Sequence, residues 1–201
     1  MQIIKTYKDI CIWDTNNGQC IRTLEGHTDW VSCLICMPNG NLVSCSYDKT
    51  IKFWDLSNGM CVKTLNGHTY NVLCLLLLKN GDLASGSKDK TIKIWNVNSG
   101  ECIRTLEGHT DYIRGLEFTE KHDLISCSSD KSIKIWSLIS GECIKSLLGH
   151  KGVICSIKAF TYNVLYSSSY DKTIKVWDLK SGLCINTLSD HQDVVTSLKF
   201  L

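Results

Sequence analysis

The chain repeats itself every 41 residues without an insertion: Trp13, Trp54, Trp95, Trp136 and Trp177 mark the step, and His27, His68, His109, His150 and His191 keep it. A fixed period of this length is the signature of a repeat architecture, in which each copy is one supersecondary unit that buries its apolar faces against its neighbours. Function must then lie in the columns where the copies differ.

Within one period the pattern is that of strands. In the unit from 67 to 107, Val72 to Leu78 is an apolar run and Asn80-Gly81 a hairpin turn; Leu83 to Ser87 is a second strand and Lys88-Asp89-Lys90 a polar turn. Thr91 to Val97 alternates as a third strand, and Ser99-Gly100 leads into a fourth, Glu101 to Leu106. No segment holds a helical apolar period beyond two turns, so the expected class is all-β. A four-stranded antiparallel sheet has two faces to cover and two edges to protect, and radial packing of such sheets leaves only short edges.

The columns that carry these turns also carry a resemblance. Gly-His at 26/27, 67/68, 108/109 and 149/150, Ser-x-Ser-x-Asp-Lys ending at 49, 90, 131 and 172, and Trp-Asp at 13/14, 54/55 and 177/178 resemble the WD-repeat β-propeller family over the whole chain. The resemblance implies a single propeller domain over 1–201: a partial blade at 1–24, full repeats at 26–66, 67–107, 108–148 and 149–189, and a closing strand at 191–201 that would complete the first blade. The usual ring of the family has seven blades, and seven units of 41 need about 287 residues. A five-bladed ring, a fragment of a longer ring and a chain that self-assembles to complete one all remain open. The closing blade is degenerate: Tyr7 stands in the Asp column, Ile3 and Lys5 in the Ser columns, and Asp190 in place of the Gly before His191.

A His, Ser and Asp at fixed spacing could suggest a hydrolase triad. Here the trio occurs four times, whereas an enzyme needs one nucleophile at one cleft. The resemblance implies a structural tetrad in each blade instead: His27, Asp48 and Trp54; His68, Asp89 and Trp95; His109, Asp130 and Trp136; His150, Asp171 and Trp177, each with one of two serines. The stretch Gly81 to Lys88 nearly spells a phosphate-binding loop, but its Lys and Ser are in reversed order and no helix follows.

Composition narrows the classes further. With 22 basic against 20 acidic residues the chain has no net field to draw nucleic acid or a membrane surface, and its longest apolar run is too short to span a bilayer. The twelve cysteines include one column, Cys20, Cys61, Cys102, Cys143 and Cys184, whose members are too far apart for bridges; they are expected to be small buried hydrophobes in the cytoplasm or nucleus. Cys33 and Cys36 lie on one strand and point to opposite faces, which disfavours a metal or redox pair. No metal or cofactor is expected.

Because successive strands alternate in direction, the loops before the first strand and between the second and third share one rim. There the copies diverge: Asp29-Trp30, Tyr70-Asn71, Asp111-Tyr112 and Gly152-Val153 in one loop, and Tyr47, Lys88, Ser129 and Tyr170 in the other. Aromatic anchors in a polar surround are the composition of a protein-recognition surface, and the resemblance makes this rim the docking face. The expected partner-binding residues are Trp30, Tyr47, Tyr70, Asn71, Lys88, Asp111, Tyr112, Arg114 and Tyr170, with Arg114 reaching for an acidic side chain. The chain reads as a non-catalytic scaffold for a protein or peptide. A ubiquitin-ligase substrate receptor is an alternative subtype, and an enzyme or nucleic-acid binder the contrasting class.

Overall fold

The computed structural model describes residues 1–119, 123–161 and 163–199. The described residues form five antiparallel sheets and no helix. The first sheet has three strands, β1 (Gln2–Lys5), β2 (Ile10–Trp13) and β3 (Cys20–Leu24), in the order β1-β2-β3. The other four are four-stranded meanders in chain order. They comprise β4 (Val31–Cys36), β5 (Leu42–Ser46), β6 (Ile51–Asp55) and β7 (Met60–Leu65), then β8 (Val72–Leu77), β9 (Leu83–Ser87), β10 (Ile92–Trp95) and β11 (Cys102–Leu106). Next come β12 (Ile113–Phe118), β13 (Leu124–Ser128), β14 (Ser132–Trp136) and β15 (Cys143–Leu148), and lastly β16 (Ile154–Thr161), β17 (Val164–Ser169), β18 (Ile174–Asp178) and β19 (Cys184–Leu188).

The chain divides into two compact units, Met1–Asp89 with Ile94–Ile103, and Lys90–Lys93 with Arg104–Leu201. In the first unit Ile10, Ile12, Leu24, Val31, Leu42 and Trp54 pack into one apolar layer, and Val43, Phe53, Leu65, Val72, Leu83 and Trp95 belong to a second. In the second unit Ile125, Ile133, Leu147, Ile154, Leu165 and Trp177 form the equivalent layer. Burial falls from the inside of each sheet outward. β5, β9 and β13, each a strand with a hydrogen-bonded neighbour on both sides, are buried at every residue.

The outermost strands carry a correction. Cys20, Cys61, Cys102, Cys143 and Cys184 are exposed and free, not buried. They sit at the start of each edge strand, where no further sheet covers them, and four of the thiols lie 3.6 to 3.7 Å from a Thr or Ser hydroxyl three residues on. The segment 191–199 also departs from expectation: it has no strand, and the Val195 N–H is spent on the Ser169 carbonyl at 3.1 Å. Residues 200 and 201 of the expected closing strand lie outside the described residues.

A basic column on the edge strands fastens neighbouring sheets. Lys63 Nζ donates to the carbonyls of Val97 (2.7 Å) and Asn98 (2.8 Å), Lys145 Nζ to those of Leu179 (2.9 Å) and Lys180 (2.6 Å), and Arg104 to Ile139 (3.1 Å). Each acceptor lies in the turn before the next edge strand, a short coil of outward carbonyls that a cation satisfies as it would a helix C-terminus. Arg22 reaches the equivalent turn of the second sheet, where its Cδ would be 2.7 Å from a Cβ at Gly59. That glycine also has φ +80°, so both backbone and contact demand it.

Gly18 has a similar φ of +69° but nothing within 4 Å of its would-be Cβ, which separates the two demands. Gly18→Ala is expected to cost about 1 kcal/mol for the left-handed backbone alone. Gly59→Ala should cost about 1 kcal/mol more, because Arg22 must be displaced, and the excess should vanish in an Arg22→Ala background. Urea denaturation of the four variants checks this; equal costs for the two glycines would refute the contact.

Candidate functional site

Four sheets contain the same buried relay. In the second, Trp54 Nε1 donates to Ser44 Oγ at 2.8 Å, Ser44 Oγ is 2.7 Å from His27 Nε2, and His27 Nδ1 is 2.7 Å from Asp48 Oδ2. The relays Trp95–Ser85–His68–Asp89, Trp136–Ser126–His109–Asp130 and Trp177–Ser167–His150–Asp171 have every step between 2.7 and 2.8 Å. An indole N–H can only donate and a carboxylate can only accept, so the serine accepts from Trp and the imidazole donates from Nδ1 to Asp; a neutral imidazole then takes the serine proton on Nε2.

The glycine before each histidine is part of this packing. At Gly67 φ is +153°, and a Cβ there would stand 3.1 Å from the Trp95 ring. The Gly-His column therefore belongs to the tryptophan 28 residues later.

The second serine of each pair does a different job. Ser46 Oγ donates to the Asp29 carbonyl at 2.8 Å and accepts the Asp48 N–H at 3.0 Å; Ser128 does the same for Asp111 and Asp130. It ties the variable loop to the turn that holds the relay aspartate. The backbone then joins the two variable loops: Tyr47 N–H to Trp30 O (2.8 Å), Lys88 to Asn71 (2.8 Å), Ser129 to Tyr112 (2.9 Å) and Tyr170 to Val153 (2.9 Å). Constant residues beneath thus hold the variable ones side by side.

Each aspartate carries more than its histidine. Burial alone would raise the Asp48 carboxyl, but hydrogen bonds from His27, the Thr50 hydroxyl and the N–H groups of Thr28 and Thr50 outweigh it and hold it far below its ordinary 3.8. Asp130 and Asp171 are depressed in the same way. Burial lowers His150 below its ordinary 6.5 against the pull of Asp171, so the neutral imidazole is preferred. This relay consumes the proton positions a general base would need, and its histidine side chains are at most 1% exposed. Among the described residues no group of three or more His, Cys, Asp or Glu could hold a metal ion, and no helix is long and apolar enough to cross a membrane.

The variable residues sort by unit. In the first, Trp30 is 53 % exposed, Tyr70 50 % and Tyr7 58 %, with Tyr47 and Asn71 partly buried. Tyr7 and Trp30 meet edge to face at 5.6 Å and Trp30 and Tyr47 at 6.1 Å, forming one row of three rings. Lys88 Nζ lies 4.6 Å above the Tyr47 ring, and Lys49 Nζ 6.0 Å from that of Tyr70. Tyr7 was not among the residues expected at this face; it stands in the aspartate column, and the loss of a relay there released its side chain to the surface. In the second unit Tyr170 is exposed, Asp111 and Tyr112 are partly buried, and the exposed Arg114 turns to its own sheet. Arg114 Nε donates to Ser129 Oγ at 2.8 Å, with its guanidinium 6.0 Å from the Tyr112 ring, and no acidic side chain is among these contacts.

Arg114 is also a bulge residue. The ladder between the first two strands skips one residue in each four-stranded sheet, at Ser32, Leu73, Arg114 and Cys155. The extra residue is unpaired and re-aimed, which is why that column tolerates such different side chains.

The family model for the WD domain, G-beta repeat, matches residues 18–55, 59–96, 100–137 and 141–178. The chain belongs to the WD40 repeat family. Its repeats are blades of the kind that build protein-interaction scaffolds. Among curated relatives, the nuclear distribution protein PAC1 of Arthroderma otae is 46% identical over 46 residues, 22% of this chain and 10% of that protein. The PAC1 protein of Gibberella zeae is 50% identical over 46 residues, with the same coverage, and that of Mycosarcoma maydis 54% over 33 residues, 16% of this chain and 7% of that protein. The matched stretch is a tenth or less of each relative's length.

Two outcomes test the relay. Trp13 lacks it: Ile3 occupies the serine column, and Trp13 Nε1 is buried with no partner. Trp95→Phe should therefore cost about 1–3 kcal/mol more than Trp13→Phe, since only the first breaks a hydrogen bond; equal losses in urea would contradict this. The second concerns pH. A folded aspartate pKa below the unfolded one gives stability that is present above pH 4 and lost as pH falls further, and a depressed His150 adds a loss that begins below its unfolded value of 6.5. Stability should be level near neutrality, decline as pH drops past 6.5 and fall steeply below 4, which urea midpoints across that range would show.

Proposed function

We propose that the chain is a non-catalytic docking scaffold that takes a protein or peptide on its variable loops. The contact residues are Trp30, Tyr47, Tyr70, Asn71 and Lys88 in the first unit and Asp111, Tyr112, Arg114 and Tyr170 in the second. The observation that carries this reading is the exposed row Tyr7–Trp30–Tyr47. Tyr7 and Trp30, half in solvent and packed edge to face with each other and on the partly buried Tyr47, are poorly explained by stability, whereas exposed aromatics held on rigid loops are the usual anchors of recognition. The relay supplies the rigidity, so the loops meet a partner with little ordering left to do. Five exposed free thiols on edge strands favour a reducing compartment, and we place the protein in the cytoplasm or nucleus.

The test is affinity capture with mass spectrometry, comparing wild type with Trp30→Ala/Tyr70→Ala and with Tyr112→Ala/Tyr170→Ala. Neither pair includes a relay residue, so both variants should melt within a few degrees of wild type, at about 1 kcal/mol or less. At least one should lose proteins that wild type retains, since hot-spot aromatics cost about 2 kcal/mol or more on truncation. Identical sets from all three proteins would refute the proposal.

A further inference from the structure

Cysteine faces cysteine across one ladder. Cys33 on β4 and Cys45 on β5 are direct register partners, and directly opposite residues of an antiparallel pair send their side chains to the same face. Both belong to one apolar layer, Cys45 fully buried and Cys33 partly so. The same position in the other four-stranded sheets holds Cys74 with Gly86, Gly115 with Cys127, and Ser156 with Ser168, so only this one of the four has a thiol on each strand there. The Gly115 pair shows how near the two sides come: a Cβ built on Gly115 would stand 3.1 Å from Cys127 Sγ. Opposite residues of an antiparallel ladder are about 4.5–5.5 Å apart at Cα, inside the roughly 4.4–6.8 Å that a disulfide spans.

The surroundings make the two sulfurs unequal. A hydrogen bond from the Cys45 thiol, helped by the Leu75 backbone and the nearby Lys5 ammonium, holds the Cys33 thiol below its ordinary 9.0 against the effect of burial. Lys5 is placed for this, because its Nζ donates to the carbonyl of Ser32, the residue before Cys33. Burial pushes Cys45 the other way, well above 9.0, and Ser32 Oγ lies 3.2 Å from its sulfur. A partly accessible thiolate beside a buried thiol is the arrangement of an attacking and a resolving cysteine. Among the described residues no His, Cys, Asp or Glu completes a metal site around them.

We propose that Cys33 and Cys45 form a reversible disulfide when the protein meets hydrogen peroxide, with Cys33 reacting first. The Cys33 sulfur attacks one peroxide oxygen; an S–O bond forms, the O–O bond breaks, and the departing hydroxide takes up the proton that the thiol gave away. Cys45 then attacks the sulfur of the Cys33 sulfenic acid. The S–S bond forms, the S–O bond breaks, and the hydroxyl leaves with the Cys45 proton as water. Two thiols are oxidised to one disulfide while one peroxide is reduced to two waters, and small thiols reverse the linkage by exchange. Cys45 directly precedes Ser46, whose hydroxyl holds the Asp29 carbonyl, so the linkage forms one residue from the contact that fixes the Trp30 loop. It does not depend on what that loop binds.

The experiment treats the folded protein with hydrogen peroxide, blocks the remaining thiols with N-ethylmaleimide in denaturant, and maps linkages by mass spectrometry. Chymotrypsin is the protease, since cuts after Leu34 and Leu42 part Cys33 from Cys45 and both from Cys36. Wild type should yield segment 31–34 joined to segment 43–47, and dithiothreitol should abolish the joined species. The Cys33 and Cys45 thiols should disappear together, about tenfold faster than that of the exposed Cys36. In Cys45→Ser, Cys33 should accumulate as a sulfenic acid trapped by dimedone; in Cys33→Ser, Cys45 should stay reduced. Serine stands at both positions in the Ser156/Ser168 pair, so both variants should fold, which thermal melting verifies. The wild-type map decides the proposal even where a variant does not fold. If Cys33 and Cys45 stay reduced or link to other cysteines, or if Cys45 is oxidised as fast without Cys33 as with it, the proposal falls.

Discussion

The structure depends on a short polar wire with a donor-only group at one end and an acceptor-only group at the other. Between an indole N–H and a carboxylate, a serine and an imidazole have one satisfactory arrangement of protons, and all four relays adopt the distances it requires. Burying a histidine and part of an aspartate is costly unless each polar atom is paired. Here pairing is complete, and Thr50 and Thr173 add hydroxyl donors to the carboxylate at 2.7 and 2.6 Å. The wire links the loop before the first strand, the second strand, the third strand and the turn between them, so it staples four segments of one sheet.

That placement separates the residues the fold requires from those free to vary. The residues under the rim cannot vary without opening the wire, while their neighbours in sequence are held by backbone and second-serine contacts that make no demand on side-chain identity. Trp30, Tyr47, Lys88 and Tyr170 stand at such positions, and the bulge column adds Ser32, Leu73, Arg114 and Cys155. On the edge strands the basic column Arg22, Lys63, Arg104 and Lys145 does for neighbouring sheets what the wire does within one.

Much of this was legible in the residues, because a pattern repeated four times is its own control. The period, the strand order, the all-β class and the histidine, aspartate and tryptophan columns follow from spacing and alternation. What was not legible turned on depth and direction. Ser44 and Ser46 lie two residues apart on one face of β5, and only their distance from the rim decides which meets Trp54. The cysteine column looked like core because cysteine is small and apolar, yet it occupies an edge strand with a neighbour on one side only. Tyr7 looked like a lost aspartate, and its second role as a ring in the exposed row depends on a contact with Trp30 that no linear pattern encodes. Arg114 differs from its column visibly enough, but its turn toward Ser129 follows from a bulge that the apolar pattern conceals.

The central claim is the polarity of the relay, and the direct measurement is the tautomer of its histidines by nitrogen-15 and proton correlation spectroscopy at neutral pH. His27, His68, His109 and His150 should each carry a proton on Nδ1 in slow exchange with solvent, with Nε2 showing the shift of an acceptor. A proton on Nε2 in any of the four would contradict the account, because the serine could then no longer both accept from tryptophan and donate to histidine.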